Sequence, residues 1–391
     1  MSAPPAPRRL AAVLGIVQVL AWATTYYLPA IIAGPVAHSF GQSRTVVLGA
    51  FSWALVVSGL ISPLVGRWID RSGGRVVLAT GALLQAAGLV ALAASPSLAA
   101  WYAAWTVLGV GMALGLYDAA FATAGRQLGE AARPAIIGIT LLGGFASTVG
   151  WPIGTMLFAQ LGWRRTALIY AAIHLLVNLP LILASVPRRA PMHPVPVAAP
   201  LPGVAVPPDA RRWNFRLLAG FFTIRGFLAG MVTVQALVLL QALGLSRGEA
   251  VFAAALIGPA QVGARLLEWA FGRFLNPLLT SRLGAALMPL GILAPLAGAP
   301  GLVLTLAYGA SNGVLTISRG TLPLYLLGPR GYAVVIGRLA MPVMLATALA
   351  PTLTAPLFVH LPVGWILAGT AAVSAAAALC LWPLRAQPTA A

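Results

Sequence analysis

The 391-residue chain is too apolar for an ordinary soluble domain, because 60% of its residues are hydrophobic and only 8% are charged, whereas soluble domains carry about a quarter charged residues. Its formal net charge of +18 reflects 24 basic residues, all of them arginine, against 6 acidic ones. Nucleic-acid-binding proteins share such a balance, but most of these arginines lie in short segments between apolar runs, where membrane topology accounts for them. The composition therefore indicates a membrane protein and argues against a nucleic-acid partner.

The apolar runs predict membrane-spanning helices. Each run is apolar on all sides and about 20 residues or longer, the length of an α-helix that crosses a bilayer, whereas barrel strands alternate apolar and polar residues over about ten positions. We expect an all-α membrane protein with twelve such helices, six in each half of the chain. Their approximate bounds are 10–34, 45–65, 76–94, 98–123, 135–160, 164–186, 215–243, 248–271, 283–298, 300–326, 333–358 and 362–384.

A proline-rich segment separates the two sets of helices. Residues 187–212 contain eight prolines, which rule out a continuous helix and favour an extended, solvated linker. The expected organisation is therefore an N-terminal six-helix bundle over residues 1–186, the linker, and a C-terminal six-helix bundle over residues 213–391.

The arginines also predict an orientation in the membrane. With an even number of crossings, seventeen arginines fall on the side of the two termini and four on the opposite side. Short cytoplasmic loops are enriched in arginine and lysine, so both termini are expected in the cytoplasm, with the chain in the inner (plasma) membrane.

The most charged short stretch is GRWIDRSGGR, residues 66–75, between the predicted second and third helices. A partial copy, Gly272-Arg273-Phe274-Leu275-Asn276, follows the predicted eighth helix and matches Gly66–Asp70 in residue type. Two copies at equivalent places in a six-plus-six layout indicate that the two halves are related.

This layout and the pattern Gly-x-x-x-Asp-Arg-x-Gly-x-Arg resemble the major facilitator superfamily of secondary transporters. The family motif maps onto Gly66, Asp70, Arg71, Gly73 and Arg75. The resemblance implies two pseudo-symmetric bundles that expose a small-molecule site to alternate sides of the membrane. Separately, we expect a monomer without a cofactor, and the four histidines and six acidic residues leave little scope for an enzyme.

The chemistry of the motif suits a gate between two conformations. Gly66 permits close helix approach, and Asp70 is an anion that can accept from the N–H groups at the N-terminus of a helix in the opposite half. A contact made in only one arrangement biases the equilibrium between the two. The alternative is that these charges only anchor a loop at the membrane surface.

Ionisable residues inside spanning helices are costly and mark functional sites. Arg265 and Glu268 lie three residues apart in the predicted helix eight, with Arg265 roughly 9 Å from its cytoplasmic end. An arginine at this point resembles the monocarboxylate and oxalate–formate branch of the superfamily, in which it binds the substrate anion. The acidic, glycine-rich signature of that branch is absent from the first helix, where WATTYYLP stands at residues 22–29. A purely structural Arg265–Glu268 pair is the alternative.

Four further residues are candidates for substrate binding: Arg225, Arg319, Asn312 and Tyr26. Arg225 lies roughly 12 Å into the predicted helix seven, close to the midplane where transporters bind their substrates. Its alternative role is to pair with an acid. Arg319 lies within roughly 11 Å of the cytoplasmic end of helix ten and can instead extend its charge to the interface.

Two acidic residues are candidates for proton coupling, Asp118 in the predicted helix four and Glu268. A carboxyl group inside the membrane can take up a proton, which would couple proton movement to substrate movement. For Asp118 the alternative, implied by related transporters, is a structural ion pair with Arg75.

Three functions remain open from the sequence. The first is a secondary transporter of a small organic solute. A carboxylate-bearing anion is favoured because arginines inside the predicted spanning helices outnumber acids there by three to two. The second is a proton antiporter that exports a hydrophobic drug or metabolite, although Trp105 occupies the position at which the resembled antiporters carry an arginine. The third is a receptor or scaffold on the same fold.

No phosphate-binding loop or metal-ligand spacing is present in the sequence, so we expect neither ATP hydrolysis nor a metal site.

Overall fold

The computed structural model describes residues 7–188 and 208–384, except for the side chains of Pro7, Pro208 and Arg273. Most of the predicted linker and Arg385 lie outside the described residues. Within these two ranges the chain is helical and contains no strand, and eight stretches of helix are long and apolar enough to cross a membrane. The prediction of an all-α, multi-pass membrane protein is confirmed.

The helices of the first half are separated by short turns or by local breaks. They are α1 (Pro7–Ala21), α2 (Leu28–Phe40), α3 (Arg44–Ser72), α4 (Gly74–Ala94), α5 (Leu98–Gly115), α6 (Tyr117–Leu128), α7 (Ala132–Gly143), α8 (Ala146–Ile173) and α9 (Leu179–Ser185). Wider π-helical segments, Trp22–Tyr26 and His174–Asn178, join α1 to α2 and α8 to α9. Gly162 kinks α8 at φ 74°, close to the predicted boundary between helices five and six.

The helices of the second half are also separated by short turns or local breaks, and several of them are longer. Its helices are α10 (Pro208–Ala242), α11 (Arg247–Ala255), α12 (Ile257–Phe271), α13 (Pro277–Leu293), α14 (Leu302–Leu327), α15 (Tyr332–His360) and α16 (Val363–Leu379). Short 3₁₀ segments follow α12 and α13, at Gly272–Phe274 and Ala294–Ala297.

The charged motif does not form the loop that the sequence predicts. Residues 66–72 are the last turns of α3, and Gly73 alone, at φ 84°, makes the turn into α4. Asp70 is therefore held by a helix rather than by a loop. In the partial copy, Asn276 caps α13 by accepting a hydrogen bond of 2.8 Å from the N–H of Leu279, so the two copies differ in structure.

The predicted continuous helix over residues 98–123 is broken at Leu116, which has an extended backbone. Two glutamine side chains bind carbonyl groups near the break: Gln18 donates to the Gly115 oxygen at 2.8 Å, and Gln85 to the Gly111 oxygen at 3.2 Å. Backbone polar groups have no water to bind inside a bilayer, so these amides stabilise the interruption.

The described residues form two compact units. Unit 1 comprises residues 7–188 together with Gly331–Met341, and unit 2 comprises residues 208–330 and 342–384. In unit 1, α5 packs against α3 and α4; in unit 2, α14 packs in the same way against α12 and α13. This repeated packing matches the related halves expected from the motif copies. The exact division of the chain into two bundles and a linker stays a prediction.

Within unit 1, the end of α3 packs closely against the beginning of α15. A Cβ atom on Gly66 would overlap the carbonyl group of Ala333, and one on Gly337 would overlap the carbonyl oxygen of Ser62. The two glycines thus allow backbone-to-backbone contact between the helices.

We predict that Gly337→Ala destabilises the protein by about 1–3 kcal/mol, because the added methyl group overpacks a backbone contact that cannot yield easily. Thermal unfolding in a fixed detergent measures the change. Gly34→Ala is the matched control, since Gly34 is also helical and has no atom within 4 Å of the added Cβ. Equal Tm values for the two variants would contradict the close contact.

Candidate functional site

Within the charged motif, Asp70 makes the contacts that the structure shows to other helices. Its carboxylate accepts a hydrogen bond from the backbone N–H of Val334, in the first turn of α15 within unit 1. First-turn N–H groups have no partner inside their own helix, and the helix dipole favours a negative charge at this end. Asp70 therefore satisfies the start of α15 both as an acceptor and as an anion.

Arg126, near the C-terminus of α6, is the cation that meets Asp70. Its Nη1 atom donates to the backbone oxygen of Asp70 and lies 4.0 Å from Oδ1 of the same residue. The motif's own arginines differ: Arg71 is exposed and Arg75 is half-buried, and neither forms an ion pair within the described ranges. Sequence analysis missed Arg126, which is one arginine among many. We call Asp70, Arg126 and Val334 the latch.

Asp118 lies beside the latch rather than against Arg75. The break at Leu116 places it in the first turn of α6, where it lines a small cavity with Gly66, Ala333 and other residues of α3, α6 and α15. It is also within electrostatic reach of Tyr332, whose fully buried ring packs on Gly125. The expected alternative, an Asp118–Arg75 ion pair, is not formed within the described residues.

Arg225 is the centre of a second group of candidates, all within unit 2. It occupies the middle of α10, and its guanidinium donates to Oδ1 of Asn312 on α14. Arg265, Arg319 and Tyr308 lie within electrostatic reach of it. We call Arg225 with these four residues the arginine site.

The partners of Arg225 are neutral. Asn312 is an amide, and the Tyr308 hydroxyl is bonded to Thr233, whose own hydroxyl donates to the Ala229 carbonyl at 2.7 Å. The Nε atom of Arg225 has no hydrogen-bond acceptor, and its guanidinium has no carboxylate partner, among the described residues. The predicted alternative of an acid paired with Arg225 is therefore absent from these ranges.

Close helix packing places the remaining members of the arginine site. Gly309 and Gly313 of α14 face backbone atoms of α12, where a Cβ would overlap Ile257 and Gln261. This contact holds α12 against α14, and Arg265 and Glu268 are both buried on α12, at 5% and 6% exposure. The structure thus brings together four arginine-site residues predicted from sequence, whereas Tyr308 was missed because it lies in an apolar run.

Tyr26 lies elsewhere, in unit 1. It is part of a group of contacting aromatic rings that includes Trp22 and Phe51. The described residues contain no group of three or more histidine, cysteine or acidic side chains that could hold a metal ion.

The fold and the motif identify the family. The family model of the Major Facilitator Superfamily matches residues 14–334. The chain belongs to the Major Facilitator Superfamily. It is accordingly a multi-pass membrane protein and a secondary transporter of small molecules rather than an enzyme.

The chain is similar to three further proteins at low sequence identity. The chain is 29% identical over 302 residues to an uncharacterized 38 kDa protein in the 23S RNA operon of Thermoproteus tenax, which covers 77% of this chain and 75% of the relative. The human organic anion transporter MFSD10 (TETRAN) has a TM-score of 0.70 at 18% identity, covering 96% of this chain and 100% of that one. The proton:xylose symporter XylE, bound to 6-bromo-6-deoxy-D-glucose, has a TM-score of 0.70 at 15% identity, covering 96% and 95%. These two likenesses concern the fold alone.

We predict that Asp70→Ala lowers stability by about 1–2 kcal/mol, comparable to the loss of a helix cap, whereas Asp70→Asn costs less. The amide can still accept from the Val334 N–H and loses only the charge, and a partly exposed ion pair contributes about 1 kcal/mol or less. Thermal unfolding of both variants measures this order. Glu130→Gln, at an exposed acid, is the control and should leave Tm unchanged. A larger loss for asparagine than for alanine would contradict the hydrogen bond.

Proposed function

We propose that this transporter carries a small organic anion with a carboxylate group and that Arg225 binds the carboxylate. The observation that supports the proposal is that the guanidinium of Arg225, in the middle of α10, has a neutral hydrogen-bond partner and no carboxylate partner among the described residues. A charge inside the membrane without a counter-charge is costly. A carboxylate supplies that counter-charge and matches the two-pronged donor geometry of arginine.

The arginine site as a whole favours an anion. Arg265 and Arg319 add positive charge within electrostatic reach of Arg225. The repulsion between these like charges would fall if an anion bound among them. Asn312 orients Arg225 by accepting its hydrogen bond, and it does not neutralise the charge. The name of one structural neighbour, an organic anion transporter, describes a solute of the same charge, although the likeness to it concerns the fold.

We assign the latch a gating role. Asp70, with Gly66, Arg71, Gly73 and Arg75 of the motif, is proposed to stabilise one conformation of the transport cycle and to release it when the Val334 contact breaks. A contact of this kind biases a two-state equilibrium by its own free energy.

Proton coupling is proposed for Glu268 and Asp118. Glu268 is buried three residues from Arg265 on one helix, so that its protonation would leave more positive charge available for the substrate anion. Asp118 adjoins the latch, where protonation would change the charge next to the start of α15. Proton uptake would then accompany anion binding and gate movement.

We further propose that the protein is a monomer in the plasma membrane with both termini in the cytoplasm. The support for this orientation is the uneven distribution of arginines between alternate segments, which follows the positive-inside rule.

We predict that Arg225→Gln raises the KM for uptake of a radiolabelled carboxylate into proteoliposomes by about 10- to 100-fold, from the ~1.5–3 kcal/mol of a hydrogen bond to a charged group. Arg225→Lys should recover only part of the loss, because an ammonium lacks the two-pronged geometry. A panel of radiolabelled small acids, sugars and drugs identifies the solute first.

The control for this series is Arg247→Gln, which removes an exposed arginine from the same unit and should leave KM unchanged. Wild-type-like uptake of every acid by Arg225→Gln would refute the carboxylate site. Uptake of a sugar or a cationic drug in preference to all acids would refute the substrate class.

We predict that an inward proton gradient accelerates uptake by the wild type and that Glu268→Gln loses this acceleration while retaining exchange of substrate across the membrane. The amide mimics the protonated carboxyl group and cannot titrate. Uptake at matched internal and external pH measures the basal rate of each variant. Asp118→Asn tests the second acid in the same way, and full gradient dependence in both variants would exclude them as coupling groups.

A further inference from the structure

We propose that Thr347 on α15 is a positioning residue for the carboxylate site: it holds one turn of α10 in place and thereby aims the guanidinium of Arg225. The inference rests on the proposed function and deepens it, since it concerns how the same site achieves its affinity for an anion. All the residues involved belong to unit 2.

Two glycines of α10 allow this helix to lie against the backbone of α15. Gly226 and Gly230 are four residues apart, so they share one face of the helix, and both are buried. A Cβ atom on Gly226 would lie 3.0 Å from the carbonyl oxygen of Val343, and one on Gly230 would lie 2.6 Å from that of Thr347. Backbone contact therefore sets the distance between the two helices here.

The hydroxyl group of Thr347 adds a polar contact at the same place. Its Oγ1 lies 3.1 Å from the carbonyl oxygen of Gly226 and 2.8 Å from that of Val343 in its own helix. Threonine hydroxyls in helices bond to the carbonyl group four residues earlier, as Thr354 does with Ala350 at 2.7 Å. Thr347 differs because its hydroxyl also reaches a carbonyl group of α10, so it joins two helices.

Gly226 directly follows Arg225, so the turn of α10 that meets α15 also carries the guanidinium. Successive residues point about 100° apart around a helix, which lets Gly226 face α15 while Arg225 donates to Asn312 on α14. Asn312 is itself followed by Gly313, which faces the backbone of Gln261 on α12. Both members of the hydrogen-bonded pair thus stand next to a close backbone contact with a further helix.

The position of α10 matters because arginine binds a carboxylate with two parallel hydrogen bonds. Groups that bind a ligand must be held within about 0.5 Å of the productive geometry. The guanidinium of Arg225 already donates to Asn312, so the direction of its remaining N–H groups depends on where α10 lies relative to α14. Loss of the Thr347 contact would leave α10 free to shift and would change that direction.

The alternative is that Thr347 contributes to packing alone. A packing residue changes the amount of folded transporter and so alters Vmax, but it leaves the KM of the folded molecules unchanged. A residue that acts through Arg225 raises KM, and its effect disappears once the guanidinium is removed. A double-mutant cycle separates these two cases.

The test measures initial uptake of radiolabelled acetate, lactate, benzoate and succinate into proteoliposomes, and a concentration series then follows the acid that the wild type takes up fastest. Thr347→Val replaces the hydroxyl by a methyl group of similar size, and we expect it to raise KM by about 3- to 10-fold, the effect of one hydrogen bond, with Vmax within about twofold of the wild type. Thr347→Ser keeps the hydroxyl and should stay within about twofold of the wild-type KM. In the Arg225→Gln background, Thr347→Val should change KM by less than about twofold.

Thr354→Val is the matched control, because it removes a hydroxyl that donates within α15, and it should leave KM unchanged. An unchanged KM for Thr347→Val beside a raised KM for Arg225→Gln would overturn the positioning role and leave the carboxylate site standing. An equal rise in KM on both backgrounds would overturn it too, since Thr347 would then act independently of Arg225. A wild-type KM for Arg225→Gln would overturn both proposals together.

Discussion

Arg225 carries a permanent positive charge in the middle of a long apolar helix, and its hydrogen-bond partner is an amide. Burying a charge without an opposite charge is among the most expensive arrangements in a membrane. In unit 2 the guanidinium donates to the amide oxygen of Asn312, and Tyr308 lies within electrostatic reach of it. The hydrogen bond lowers the cost of the charge without cancelling it. A site of this design lacks a counter-charge, and the anionic solute that we propose would supply it.

The backbone is subject to the same constraint, because its polar groups also need partners inside the membrane. The membrane interior leaves each N–H and C=O group dependent on the protein, so every departure from the α-helix needs a local partner. The break at Leu116 has Gln18 and Gln85 beside it, and the first turn of α15 has Asp70. All three hydrogen bonds lie in unit 1, and each joins two different helices. Polar side chains therefore mark the places where the helical framework departs from regularity.

Apolar periodicity and the charged motif predicted the helical membrane fold and the family well, because both depend on composition over long stretches. They also directed attention to Arg225, Arg265, Asn312 and Arg319, which converge in unit 2, since charge inside an apolar run is a strong signal. The break at Leu116 left no such signal, because glycine and leucine are as compatible with a membrane helix as with its interruption. The apolar run that predicts α3 ends at residue 65, whereas the helix continues through the charged motif to Ser72, because charged residues are compatible with a helix that extends beyond the apolar region. Arg126 and Tyr308 acquire their roles only from tertiary packing.

Gln18 shows how one buried side chain joins two irregular segments of the backbone. Its amide oxygen accepts from the indole N–H of Trp22, and its amide nitrogen donates to the Gly115 carbonyl at the broken end of α5. A shorter or apolar residue at this position would remove both hydrogen bonds at once, and no water inside the bilayer replaces them. Two separate departures from the regular α-helix in unit 1 therefore depend on a single amide.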